Sequence, residues 1–184
     1  MTKRFPYSAL WAGLVASFAA HGASLEAFDR VLAGSYRDML HDAKTAYDGK
    51  RYDEALPLFT KAACAGDKES QLMLGRMHLV GEGTVRDDIL GYAWMNVGVE
   101  VPFSTYPALV AKIENSFSAE QRKIADAEAK AKIDAYGLRA TNMSCNKSAS
   151  RGGHIIDSVT CTPQVEGTSA LLKRCMDTAV PAKP

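Results

Sequence analysis

Tyr52–Val99, YDEALPLFTKAACAGDKESQLMLGRMHLVGEGTVRDDILGYAWMNVGV, is the stretch whose reading decides the fold. It repeats itself. A shift of 36 positions carries Ala55 onto Gly91, Leu58 onto Trp94, Phe59 onto Met95 and Ala62 onto Gly98. The same shift carries Leu74 onto Val110 and Met77 onto Ile113. Small side chains fall on small ones and large apolar ones on large, the pattern of helical hairpins stacked on one another. Within the first copy, Ala55, Leu58, Phe59 and Ala62 keep the i, i+3, i+4, i+7 spacing of a helix buried along one side.

Working outward, the spacing predicts helices over 52–65, 69–80, 89–99, 104–115 and 119–136. Their punctuation is Gly66-Asp67, the turn Gly81–Thr84, Pro102 and Ser118. Pro57 lies early enough in its helix to bend it without ending it. Asp87 or Asp88 is placed to cap the third of these stretches, and Ser118 with Gln121 forms a capping box. Ser24–Tyr47 carries a helical apolar period too, with a bend expected at Gly34-Ser35 and a stop at Gly49. The last helix has Ile124, Ala127, Ala131 and Ile133 as its weak apolar side and reads as a polar end cap.

The residues between these helices carry a resemblance. Ala62-Ala63-x-x-Gly66, Gln71-x-x-Leu74-Gly75-x-Met77, Gly81-x-Gly83-Thr84-x-x-Asp87 and Tyr92-Ala93-Trp94-x-Asn96 resemble the Sel-one-like repeat, a relative of the tetratricopeptide repeat. The resemblance covers about residues 38–136 and rests on Ala62, Gly75, Gly81, Gly83, Asp87 and Trp94 as repeat-motif positions. It implies an all-α, short α/α solenoid that holds other proteins and needs no cofactor. Gly91 and Gly98 stand where the family usually has alanine. At roughly 1 kcal/mol per helical glycine, this departure predicts a second copy looser than the first.

The first residues read differently. Lys3 and Arg4 precede an apolar run of 13 residues from Ser8 to Ala20, with small residues to follow. This is the pattern of a secretory leader cut near Gly22 or Ala23, and the run is too short to span a bilayer. The expected organisation is a signal peptide over 1–23, a helical repeat domain over 24–137 and a cysteine-containing hairpin and tail over 138–184, in a periplasmic or secreted protein. Removing Lys3 and Arg4 leaves 20 basic against 21 acidic side chains, so no strongly basic balance points to nucleic acid.

Past Leu138 the helical period disappears. Thr141–Lys147 and His154–Thr162 read as short strands joined around Arg151-Gly152-Gly153. Leu171–Met176 reads as one helical turn before a proline-containing tail. A turn centred on Gly152-Gly153 sets Cys145 opposite residues 160 to 161, so a Cys145–Cys161 bridge can close across the strands. Cys64 falls about 180° from the Ala55–Phe59–Ala62 stripe at 100° per residue. It is expected either to pair with Cys175, strapping the tail across the solenoid, or to remain a free thiol.

Chemistry-bearing motifs are sparse. The Gly81–Thr84 turn lacks the lysine and preceding strand of a phosphate loop. No C-x-x-C pair suggests zinc, and His78 reads as a packing residue. Gly-x-Ser-x-Gly and His-Glu-x-x-His are both missing, and no catalytic residue is expected. The alternatives are a cell-wall or β-lactam-hydrolysing enzyme, which cysteine-rich members of the family suggest, and a thiol- or metal-binding protein. A binding role assigns the outward column Pro57, Thr60, Cys64, continued by Ala93, Asn96 and Glu100, to a groove. Thr60, Tyr92, Asn96 and Glu100 are then its candidate contacts for a protein or peptide.

Overall fold

A computed structural model describes residues 28–101, 106–148 and 158–176. The candidate leader, the Arg151-Gly152-Gly153 turn and the tail from residue 177 lie outside them. The described elements are β1 (Phe28–Leu32), α1 (Ala33–Asp48), α2 (Tyr52–Ala65), α3 (Lys68–Val80), α4 (Asp88–Gly98), α5 (Tyr106–Glu114) and α6 (Ala119–Tyr136). The chain then runs through β2 (Met143–Ser148), β3 (Ser158–Pro163), β4 (Val165–Glu166) and β5 (Ser169–Lys173).

The helices pair in sequence as hairpins, and their junctions follow from local chemistry. Asp67 caps α3 by accepting from the Ser70 amide at 2.7 Å, and Asp87 caps α4 through Leu90 at 2.9 Å. Ser118 and Gln121 complete the capping box at the start of α6. Gly83 sits at φ +73°, and a β-carbon there would lie 2.6 Å from the Tyr52 carbonyl oxygen. The turn after α3 is thus built against the start of α2 and requires glycine at that point.

The glycines of the second copy have a packing role where α3 crosses α4. A β-carbon on Gly75 would meet Met95 Cγ at 2.5 Å and the Gly91 carbonyl at 2.8 Å. One on Gly91 would meet Leu79 at 2.7 Å and the Gly75 carbonyl at 2.9 Å, and one on Gly98 would meet Leu72 at 2.6 Å. The glycines let two backbones approach, and that packing answers their propensity cost.

Phe59 and Trp94 share one core with Leu56, Leu74, Met77 and Val97. Trp94 stacks on Tyr136 of α6, ring centroids 5.3 Å apart. A buried polar pin ties four helices there. Lys68, fully buried, donates to Gln71 Oε1 at 2.9 Å, the Val97 carbonyl at 3.2 Å and Glu100 Oε2 at 2.7 Å. Gln71 donates in turn to the carbonyls of Ala63 and Tyr136. Burial pulls the Lys68 ammonium below its usual range, and Glu100 offsets part of that fall.

Three sequence expectations fail. Phe28–Leu32 is a strand, not the start of a helix, and it pairs antiparallel with β5 from Phe28 opposite Lys173 to Leu32 opposite Ser169. Leu171–Met176 is likewise no helical turn. Its first part belongs to β5, which alternates half-buried residues with the buried Ala170 and Leu172. A run of five residues is too short for its period to separate helix from strand, and pairing across the length of the chain decides the matter. On α6 the inward side is Ala125, Ala129, Lys132 and Tyr136, whereas Ile124, Ala127 and Ala131 face out. Small residues win the inner side because Tyr136 and the Lys132 stem supply the bulk against Trp94.

The β2–β3 ladder sets Cys145 directly opposite Cys161, and these two are bonded. A second disulfide joins Cys64, in the last turn of α2, to Cys175, just after β5. A sheet of order β1-β5-β4 and the β2–β3 hairpin therefore lie against the helices, with Met143 and Leu172 buried beside Tyr36 and Ala65.

Candidate functional site

The outward column expected to form a groove is used by the molecule itself. Tyr92 is buried and donates its hydroxyl to Asp126 Oδ1 of α6 at 3.0 Å. Burial, then that carboxylate, push its phenol up to about 12. Asn96 turns back to the Tyr92 carbonyl at 2.9 Å, and Ala93 is fully buried. Glu100 holds Lys68 and accepts from the Leu138 amide at 3.0 Å. Four of the six column positions are thus covered or committed: Ala93, Asn96 and Glu100 as described, and Cys64 by its bond to Cys175. Thr60 differs, since with Pro57, Lys61, Lys173 and Cys175 it lines a hollow of about 320 Å³ beside the strap. Its hydroxyl donates to the Leu56 carbonyl at 2.7 Å.

The larger cleft, about 440 Å³, opens on the other side, between α1 and α3, with β3 across one wall. Count back from Gly49 and Gly81, the glycines that follow α1 and α3. His41 is then level with Met73, and Lys44 with Arg76. The first helix of each hairpin presents its outer side here. Phe59, Leu40, Tyr47 and Met73 supply an apolar floor, and His41, Lys44, Asp48, Glu69 and Arg76 supply ionisable groups around it.

The electrostatics of the cleft are unsettled in a useful way. Among the described residues His41, Lys44, Asp48 and Glu69 make no ion pair. Arg76 lies over the Tyr47 ring, its guanidinium carbon 5.4 Å from the centroid, and only 3.9 Å separates it from Glu82. The Tyr47 hydroxyl donates to Glu82 at 2.6 Å, and burial followed by that bond raises its pKa. Asp67 at the cleft floor is buried, and burial raises its carboxyl despite the Ser70 hydrogen bonds that favour the charged form. Both signs of charge, an aromatic body and unpaired donors and acceptors suit a polypeptide better than a small apolar ligand.

Sequence reasoning placed the groove on α2 and α4, and the cleft lies on α1 and α3. The available signal was the pair of terminal glycines, which align Lys44 with Arg76. Among the described residues no set of three or more His, Cys, Asp or Glu side chains is gathered to hold a metal ion. No helix there is long and apolar enough to cross a membrane.

No protein-family model and no curated protein matches this chain. Among solved structures it is similar to a protective antigen present in uropathogenic Escherichia coli strains, a protein displaying an SLR fold, at 21% identity and a TM-score of 0.51. The likeness covers 57% of this chain and 24% of that one, so this chain matches about a quarter of the antigen's length. The helical part of the molecule has the Sel-one-like repeat fold.

Proposed function

We propose that this protein is an exported repeat scaffold that holds an extended segment of a partner protein in the cleft between α1 and α3. The observation that carries the reading is the contrast in use of polar side chains. Those of the α4 column are spent on internal bonds, while His41, Lys44, Asp48 and Glu69 around the cleft are bound to nothing among the described residues. A cleft of this size with an aromatic floor contributes apolar area, and the ionisable rim sets register and choice of partner. The two disulfides favour an oxidising, extracytoplasmic compartment.

Cross-linking of the full chain in periplasmic extract tests this reading. Capture of a given partner is expected to fall about tenfold or more in a Lys44→Glu, Arg76→Glu double variant, since rim charges of opposite sign penalise docking by upwards of 1 kcal/mol. It is expected to persist in Asn96→Ala. The opposite pattern, loss with Asn96→Ala and capture by the charge-reversed cleft, overturns the assignment.

A further inference from the structure

The two disulfides are not equivalent. Cys161 is buried from bulk solvent but stands in the wall of the α1–α3 cleft, whereas its partner Cys145 is half-exposed on the neighbouring strand. In the strap the arrangement is reversed. Cys175 is the accessible end, and Cys64 is 2% exposed in the last turn of α2. Thiol–disulfide exchange proceeds by attack of a thiolate on one sulfur with expulsion of the other as a thiolate. Attack from the cleft on Cys161 expels Cys145 toward water, which stabilises the departing charge. Attack on Cys175 must expel Cys64 as an anion into a buried site at the negative end of a helix, which opposes departure.

We infer that the Cys145–Cys161 bond is a thiol-exchange site facing the cleft, and that its incoming thiol is a cysteine of the polypeptide lodged there. The inference rests on the cleft reading proposed above. Lys44 and Arg76 line the same cleft and each attracts an approaching thiolate, against Asp48, Asp67 and Glu69 in the same lining. The step balances without an outside oxidant. The incoming thiolate forms a bond to Cys161 Sγ, the Sγ–Sγ bond breaks, and Cys145 leaves with the electron pair and takes a proton from water. One disulfide is consumed and one is made. Cys145 remains next to the new bond and reverses the reaction when the guest leaves, so the tether is reversible.

The test exposes the full oxidised chain to glutathione, quenches with N-ethylmaleimide and maps the adducts by peptide mass. Glutathione on Cys161, N-ethylmaleimide on Cys145 and an intact Cys64–Cys175 bond are expected early in the reaction. In the Lys44→Glu, Arg76→Glu variant the exchange rate is expected to drop by about threefold or more, as for reversal of partly exposed charges near an anion. Uncharged β-mercaptoethanol is expected to lose less. Early adducts on Cys145, Cys64 or Cys175, equal rates at both disulfides, or a rate blind to the charge reversal overturn the inference. Glutathione needs no partner protein, so these results are separate from failure of the cleft reading. That failure would appear as undiminished partner capture by the charge-reversed variant.

Discussion

Two sides of the same helical stack carry comparable polar side chains and use them in opposite ways. On and just after α4, Tyr92, Asn96 and Glu100 look outward by period, yet all three are committed within the molecule: Tyr92 to Asp126 of α6, Asn96 to the Tyr92 carbonyl, and Glu100 to Lys68 and the Leu138 amide. On α1 and α3, Lys44, Asp48 and Glu69 stay unpaired among the described residues around a cleft with an apolar floor. The difference teaches that a helix's outward side in a short solenoid is not a surface until the rest of the chain has been placed. The side that the chain leaves uncovered is the one available for recognition.

The comparison can be broken by stability measurements. Glu100→Ala should be the most damaging of the column changes, because it leaves the fully buried Lys68 ammonium without its carboxylate. A loss of about 3 kcal/mol is expected in urea unfolding. A loss below about 1 kcal/mol would mean the pin is not what secures that side. Tyr92→Phe removes one phenol–carboxylate bond, between a buried ring and an exposed carboxylate, and should cost about 1 kcal/mol.

Acid offers a third handle on the inner side of α3, whose outer side carries Met73 and Arg76. His78 is buried, and burial, aided by Lys132 and opposed by Asp87, lowers its pKa from the usual value. The unfolded chain therefore binds a proton that the folded chain refuses, so stability should fall as pH drops below about 6.5 and toward the lowered folded value. A His78→Gln variant should show a shallower decline in Tm over pH 7 to 5, and an unchanged slope would remove His78 from the account. Smallest of all is the expected effect of Lys44→Ala with Arg76→Ala, within about 0.5 kcal/mol, because neither side chain makes a strong internal bond.

Much of the helical architecture was legible because it is local. The stretch 52–65 has its period, and a glycine in the left-handed region at Gly66 ends it where the sequence says it should. The register of Cys145 with Cys161 was legible too, since the two expected strands, folded about Gly152-Gly153 in the sequence, set residue 145 against 160 to 161. Phe28–Leu32 and Ser169–Lys173 were not. Each is a short apolar run, and only the other, far along the chain, makes it a strand. The cleft was missed for a related reason. Period separates the sides of α2 and α4 but says nothing of α6 and β5 arriving to cover one of them.

The pairing of β1 with β5 has one more consequence. Stacked-repeat proteins commonly come apart from an extremity, one hairpin peeling away while its neighbours persist. In this molecule β1, just before α1, and β5, the last of the described strands, are zipped together, and a covalent bond from α2 secures the splice. Loss of structure should therefore arrive in one cooperative event, whichever hairpin is weakest.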